Sequence, residues 1–180
     1  RGDRPVAHRR RLPEVAPRVV ITSAGLLLFR LGSDRGAEPE VLIAHMGGPF
    51  WAAKDAAAWS IPKGEFDEGD EAAVDAAVRE FREELGVEPP APPYAELGTW
   101  AYSSGKRVTV FVADGAGFEA SGFVFGTFEL EWPPRSGRTQ EFPEVDRAEW
   151  MPLTAARNRL VKGQRPALDA LTTHLAELGR

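Results

Sequence analysis

The fold of this protein is decided by residues 59–87, which read WSIPKGEFDEGDEAAVDAAVREFREELGV. The second half of this stretch predicts a helix that starts at Asp70 or Glu71 and runs to Leu85. Its apolar residues recur every three or four positions, the spacing that places them on one helix face. Gly86 then supplies a residue that tolerates the left-handed backbone in which many helices end. The apolar stripe consists of Val74, Val78, Phe81 and Leu85.

Acidic residues are concentrated in the same stretch. Nine of the 27 Asp and Glu residues lie between positions 63 and 86, against three basic residues. Glu80, Glu83 and Glu84 are spaced so that all three project from one face of the predicted helix. Carboxylates this close repel one another unless solvent, protonation or a cation neutralises them, and such oxygen ligands suit magnesium or manganese. A solvated helix face, with Arg79 and Arg82 relieving the repulsion, is the alternative interpretation.

The residues around this helix, Gly64–Val87, resemble the signature of the MutT/Nudix hydrolases. Residues 79–87, REFREELGV, match the end of that signature at each of its specified positions. Gly64 and Glu71 match its beginning, but one residue more than in the signature lies between them. Either the loop carries an insertion, or Asp70 takes the place of Glu71 with one extra helical residue.

The resemblance implies an α/β protein with the Nudix-type α/β/α sandwich around a central mixed β-sheet. It implies a cofactor, Mg²⁺ or Mn²⁺, whose ligands are the backbone carbonyl of Lys63 and the carboxylates of Glu80, Glu83 and Glu84.

The same resemblance assigns structural roles within the motif. Arg79 is expected to form a salt bridge with Glu71 or Asp70, because a planar guanidinium can hold a carboxylate with two hydrogen bonds. Gly64 is expected to serve turn geometry, and Gly86 to end the helix.

Many members of that family use a further glutamate, outside the signature, as base or additional ligand. We predict Glu144 for this role, because it lies in a loop shortly before a predicted strand that carries Trp150. Three other acids are alternatives, although each by itself is more typical of an ordinary surface position: Glu129, Glu131 and Glu141. The predicted catalytic residues are therefore Arg79, Glu83, Glu84 and Glu144.

Residues that would bind the substrate are weakly encoded. Phe50, Trp51 and Tyr102 are candidates for stacking on a nucleobase, since aromatic rings do so without regard to base identity. Lys54 and Lys106 are candidates for binding phosphates. Each of these residues is also typical of an ordinary core, rim or surface position.

The chain as a whole has the composition of a folded protein. It has 180 residues, of which 43% are hydrophobic and 27% charged, and a formal net charge of −5. The absence of cysteine excludes disulfides, thiolate metal sites and a cysteine nucleophile. Residues 1–18 contain six arginines and are predicted to be a flexible basic arm. Residues 19–180 are predicted to be a single Nudix domain that includes C-terminal helices.

Secondary structure outside the motif follows from the hydrophobic pattern. Strands are predicted at residues 19–29, 41–46, 94–102, 106–113, 124–132 and 145–151, and helices at 154–161 and 166–178. The first strand is rich in leucine and β-branched residues, so we expect it to be buried on both faces. Residues 132–143 are predicted to be a long polar loop.

The predicted function is Mg²⁺-dependent hydrolysis of the diphosphate linkage in nucleoside diphosphate-X compounds. The leading hypothesis is a nucleoside triphosphate pyrophosphohydrolase that releases a nucleoside monophosphate and pyrophosphate. A dinucleoside polyphosphate hydrolase is the first alternative, because the lead-in WSIPKG at residues 59–64 is similar to that branch. A noncatalytic nucleotide-binding regulator is the second, although it predicts loss of the helix carboxylates. The partner is then a small-molecule nucleotide, with no membrane and no specific nucleic acid, and we expect a cytoplasmic monomer or homodimer.

Overall fold

A mixed β-sheet organises the computed structural model, which describes residues 20–32, 36–102 and 104–180. A 3-10 turn, Lys162–Gln164, precedes the last helix. The elements in chain order are β1 (Thr22–Arg30), β2 (Glu40–Met46), β3 (Trp59–Ser60), β4 (Lys63–Phe66), α1 (Ala73–Leu85), β5 (Ala95–Ala101), β6 (Arg107–Asp114), β7 (Thr127–Glu131), β8 (Thr139–Pro143), β9 (Val145–Pro152), α2 (Leu153–Arg159) and α3 (Arg165–Glu177).

Strand β1 lies at the centre of the sheet. One of its edges pairs in parallel with β6. The other edge is divided between β4 at residues 22–25 and β2 at residues 28–30, both antiparallel. Strands β3 and β9 pair with β2, and β5 pairs with β6. Because one parallel pair lies among antiparallel ones, the sheet is mixed, as predicted.

Helices cover both faces of the sheet. Ala24, Leu26 and Leu28 of β1 pack in the cluster that contains the buried residues of α1. Leu27 and Phe29 pack in the cluster that contains those of α2 and α3. Successive residues of β1 are therefore buried on opposite faces of the sheet. This is the pattern of a strand covered on both sides, as the composition of β1 predicted. The layers form the α/β/α sandwich that the sequence implied.

Helix α1 begins later than its pattern predicted, at Ala73 rather than at residue 70 or 71. The preceding residues form a turn, in which the backbone N–H groups of Asp70 and Glu71 both donate to the carbonyl of Asp67 over 3.0 Å. Ala76 and Ala77, outside the predicted apolar stripe, are fully buried. Such small side chains let the helix lie close to β1.

Part of the predicted polar loop at residues 132–143 is a strand, so the loop prediction was wrong for residues 139–143. Strand β8 pairs with β7 in an antiparallel hairpin that is separate from the main sheet. Its aromatic side is formed by Phe128 opposite Phe142, and Trp132 lies edge-on to Phe50 with ring centroids 5.3 Å apart. Aromatic pairs therefore help to set the register of β7 against β8. One of these rings, Trp132, contacts Phe50 in a distant loop, and the local sequence pattern cannot indicate such a contact.

Some predictions fall outside the described residues. The basic arm, residues 1–18, lies there, and so does Ser103, between the strands predicted at residues 94–102 and 106–113. None of the helices within the described ranges is long and apolar enough to cross a membrane.

Candidate active site

Helix α1 determines where the three predicted glutamates lie. Its buried residues, Ala76, Ala77, Phe81 and Leu85, face the sheet. Glu83 is left with 57% of its side chain exposed, whereas the side chain of Glu80 is only 13% exposed. The helix ends as predicted at Gly86, which has a φ of 69° and donates its N–H to the carbonyl of Arg82 over 2.7 Å. The glutamates therefore occupy the last two turns of a well-terminated helix.

Strand β4 meets α1 at Gly64, where the carboxyl group of Glu80 lies directly against the backbone. A Cβ atom built on Gly64 would be 1.8 Å from Oε2 of Glu80 and 1.9 Å from Cδ. A side chain larger than hydrogen fits there only if the end of the Glu80 side chain moves away, so glycine is favoured by close approach rather than by an unusual φ angle. Gly64 thus has a role in seating Glu80 against β4.

Arg79 connects the turn before α1 to the glutamates. Its Nε and Nη2 atoms donate to the carboxylate of Glu71 over 3.1 and 2.9 Å. Nη1 donates to Glu80 over 2.5 Å and to Glu83 over 3.2 Å. The partner in the motif is therefore Glu71 and not Asp70. The hydrogen bond from Arg79 holds the pKa of Glu71 below its usual value, and the paired carboxylates raise the pKa of Arg79.

Glu84 is the most strongly perturbed acid among the described residues. Burial raises its pKa from the usual 4.5 to about 8, and the negative charges of Glu144 and Glu80 act in the same direction. The charge and the backbone N–H of Lys63 oppose this shift. Burial likewise raises the pKa of Glu80, while Arg79 lowers it. Carboxyl groups that are raised in pKa by burial and mutual repulsion mark a place where a bound cation would be stabilised.

Glu144 lies far from α1 in the sequence but close to Glu80 and Glu84 in the fold. Its backbone N–H donates to the carbonyl of Gly126 over 2.8 Å, and its carbonyl accepts the N–H of Gly47 over 2.8 Å. A Cβ atom on Gly126 would lie 2.9 Å from the Glu83 carbonyl and 3.2 Å from Oε2 of Glu144. The carboxylate is therefore held near the end of α1, where it raises the pKa values of Glu80 and Glu84.

The three competing acids lie on the β7–β8 hairpin. Glu129 pairs with Glu141 across its strands, and the carboxylate of Glu131 accepts the N–H of Gly137. None of these three acids is among the causes of the raised pKa values of Glu80 and Glu84. The geometry therefore favours Glu144 among the four.

The donor set suits a hard divalent cation in its chemistry. Carboxylate oxygens and backbone carbonyls are the ligands that such ions prefer. Within the described ranges, however, no three His, Cys, Asp or Glu side chains are already placed to hold a metal ion. Arg79 supplies the positive charge between Glu80 and Glu83, and the exposed Glu83 side chain has room to rotate. The chemistry of these donors fits a divalent cation, whose positive charge Arg79 partly replaces at Glu80 and Glu83.

The predicted substrate-binding residues do not form one group. Trp51 and Lys54 lie together, with the Lys54 ammonium 4.6 Å from the Trp51 ring centroid. Lys106 is ion-paired with Glu65 at 2.7 Å. Tyr102 packs against the core on the face covered by α2 and α3. Its hydroxyl accepts a hydrogen bond from Gln164 over 3.0 Å.

Gln164 is a residue that sequence reasoning missed. It is fully buried beside Ser60, just before the segment that carries Lys63 and Gly64. A single glutamine between two predicted helices carries no motif and no periodicity. No signal in the sequence would have separated it from a surface residue.

Comparisons with known proteins agree with this architecture. A sequence model described as NUDIX domain matches residues 23–171. The fold is similar to that of an Ap4A hydrolase from C. elegans, with a TM-score of 0.56 and 21% identity over 86% of this chain and 98% of that chain. It is also similar to the NUDIX domain of NrtR from Shewanella oneidensis, complexed with ADP ribose (TM-score 0.57, 16% identity, 88% and 90% covered). A third similar structure is a MutT protein from Methanosarcina mazei Go1 (TM-score 0.53, 18% identity, 86% and 94% covered). No curated protein matches the sequence significantly.

Proposed function

The chain belongs to the NUDIX domain family, and from that premise we propose that it hydrolyses the diphosphate linkage of nucleoside diphosphate derivatives with the help of a divalent cation. One observation carries the proposal: the carboxylate of Glu144 lies close enough to Glu80 and Glu84 for its charge to raise the pKa values of both. Such a cluster is unfavourable without a counter-charge, and all three helix glutamates are present. This supports hydrolysis over a noncatalytic regulator.

The cation site would consist of Glu80, Glu83, Glu84 and the carbonyl of Lys63. Family members generally use divalent metal ions, typically Mg²⁺, and Mn²⁺ has the same preference for oxygen ligands. When bound, the ion neutralises the carboxylates, shields phosphate charge and makes bound water more acidic.

The remaining roles belong to side chains around that site. Glu144 would accept the proton of the attacking water, since its carboxylate is exposed and lies beside the site. Arg79 holds Glu71 with two donor atoms and so fixes the turn before α1. Arg79 is therefore a positioning residue for the glutamates.

The substrate we propose is a nucleoside triphosphate, cleaved to a nucleoside monophosphate and pyrophosphate. The test is a panel of nucleotides incubated with the protein and Mg²⁺, with products identified by chromatography. Pyrophosphate should appear together with a monophosphate. A protein that never forms this pair of products from a triphosphate would rule out the assignment.

A dinucleoside polyphosphate is the second candidate substrate. It is favoured by the WSIPKG lead-in and by the aromatic pair of Phe50 and Trp132 next to the hairpin that precedes Glu144. Phe50 is 54% exposed and could stack on a second base. Release of a monophosphate plus a longer nucleotide from a diadenosine polyphosphate would favour this candidate. Cytoplasmic location, the single domain and a monomeric or homodimeric state stay predictions from the sequence.

Glu144→Gln is expected to lower the turnover number about 100-fold, because an amide cannot accept the proton of water. The half-saturating Mg²⁺ concentration should change little, since the proposed ligands remain. Steady-state rates over a range of Mg²⁺ concentrations measure both quantities. The matched control is Glu141→Gln, on the neighbouring hairpin, which should retain normal turnover. Equal activity of both variants would show that Glu144 is not the general base.

Mg²⁺ affinity is expected to rise with pH up to about 8. The metal-free protein holds a proton on Glu84 below that pH, because burial raises the pKa of this carboxyl to about 8. A cation must displace the proton, so affinity should increase about tenfold per pH unit below pH 8 and level off above it. Calorimetric titration with Mg²⁺ in buffers of different ionisation enthalpy counts the released protons. Zero proton release at pH 7 would contradict this expectation.

A further inference from the structure

Gln164 forms a buried polar network on the sheet face opposite to α1. Its side-chain Oε1 accepts the backbone N–H of Ile61 over 2.7 Å. Its Nε2 donates to Oγ of Ser60 over 2.9 Å and to the hydroxyl of Tyr102 over 3.0 Å. Gln164 and Ser60 are two of the four buried polar residues in the described part of the chain. Each donor and acceptor group of the buried amide therefore has a partner.

The network holds a segment in which the chain changes strand partners. Ser60 pairs with Ala44 of β2, whereas Lys63 pairs with Gly25 of β1. Ile61 lies in the crossover between these pairings, and Gln164 supplies the acceptor that its N–H lacks in the sheet. On β1, the N–H of Leu26 donates to the carbonyl of Pro62 over 3.1 Å. Residues 61 and 62 are thus fixed from two sides.

The same segment leads directly into the candidate site. The backbone N–H of Lys63 donates a hydrogen bond to the carboxylate of Glu84. Gly64 follows, with the carboxyl group of Glu80 against its Cα. A shift of the crossover would therefore move both contacts. Only Pro62 separates Ile61, whose N–H is held by Gln164, from Lys63.

We propose that Gln164 is a positioning residue for the divalent-cation site, acting through the hydrogen bond that fixes the Ile61–Lys63 backbone. This inference rests on the proposed function, in which the Lys63 carbonyl is a ligand. A residue that merely filled space would need no amide, because leucine has a similar volume and no polar atoms to satisfy. Leucine at position 164 would leave the buried Ile61 N–H without its acceptor.

Tyr102 is part of the same hydrogen-bond network. Its ring lies over Gly163, where a Cβ atom would come within 2.0 Å of the ring. Its hydroxyl accepts from Gln164 and so helps to orient the amide. This assigns Tyr102 to the support of the crossover rather than to stacking on a base.

The test compares binding of Mn²⁺ to the full chain in three variants at pH 8, by the loss of the free-ion electron paramagnetic resonance signal. Gln164→Leu removes the acceptor, and Tyr102→Phe removes only the hydroxyl. Leu168→Ala is the matched control: Leu168 is fully buried on α3, one helical turn from Gln164, and makes none of the network's hydrogen bonds. Thermal unfolding of each variant is measured in parallel.

Gln164→Leu should raise the dissociation constant for Mn²⁺ about tenfold or more, as loss of a residue that orients metal ligands does. Tyr102→Phe should raise it less, and Leu168→Ala should leave it unchanged although it lowers the melting temperature. Mn²⁺ binding by Gln164→Leu that equals the wild type overturns the inference alone. If Gln164→Leu does not fold, unchanged binding by Tyr102→Phe overturns it. A wild-type chain that binds no Mn²⁺ overturns the proposed function as well.

Discussion

Glu84→Gln is expected to lower the turnover number about 1,000-fold, because one ligand charge of the proposed cation site is lost and such sites contribute several kcal/mol to catalysis. The same change should raise the melting temperature of the metal-free protein at pH 8. The pKa of Glu84 is about 8 in the folded chain and near its usual 4.5 in the unfolded chain. Its contribution to stability is therefore lost as the pH rises from about 4.5 through 8.

The measurements are steady-state kinetics with Mg²⁺ and thermal unfolding in a chelator at pH 5 and pH 8. The stability gained by Glu84→Gln should be larger at pH 8 than at pH 5, since an amide does not ionise. Glu68→Gln is the control, because it removes an exposed acid from the same motif. Normal turnover in Glu84→Gln would remove this residue from the site. A stability difference that does not depend on pH would contradict the raised pKa.

Gly64→Ala is expected to abolish most of the activity, with a loss of about 1,000-fold. The new methyl group would occupy the position of the Glu80 carboxyl, whose Oε2 and Cδ lie 1.8 and 1.9 Å from it. Glu80 must then leave its place against β4, and the proposed site loses that ligand. Because only the flexible end of the Glu80 side chain has to move, the free energy of unfolding should change little.

Gly69→Ala is the matched control for Gly64→Ala, five residues further along the motif. Among the described residues, and leaving out its chain neighbours, only Oδ1 of Asp67 lies within 4 Å of its added methyl group, at 3.2 Å and at the end of an exposed side chain. Its activity and stability should stay close to those of the wild type. Kinetics and denaturant unfolding of both variants make the comparison. Equal activity of the two would show that the Gly64–Glu80 contact is not required.

Much of the candidate site could be predicted because its information is local. The spacing of Glu80, Glu83 and Glu84, and the termination at Gly86, depend only on helix geometry. The partner of Arg79 could not be settled, since the extra residue before α1 left Asp70 and Glu71 equivalent in sequence. The structure absorbs that residue in the turn at Asp67, so Glu71 faces Arg79.

Other features depend on contacts between distant parts of the chain. Gln164 meets Ser60 and Ile61 across more than half of the sequence, and no local pattern marks such a pair. Of the predicted substrate-binding residues, Trp51 and Lys54 lie together, whereas Tyr102 and Lys106 lie with other partners. Aromatic and basic residue types are common in cores and on surfaces. Their identity therefore says little about where they lie.

The parallel pairing of β1 with β6 has a consequence for the kinetics of folding. These strands come from opposite halves of the chain, and β1 is also the strand against which β4 pairs. Contacts of such long sequence separation require large loops to close, which makes folding slow. Helix α1, by contrast, is local and can form early. The recovery of hydrolysis after denaturation is therefore a measure of the completed sheet, and it should lag behind the recovery of helix content.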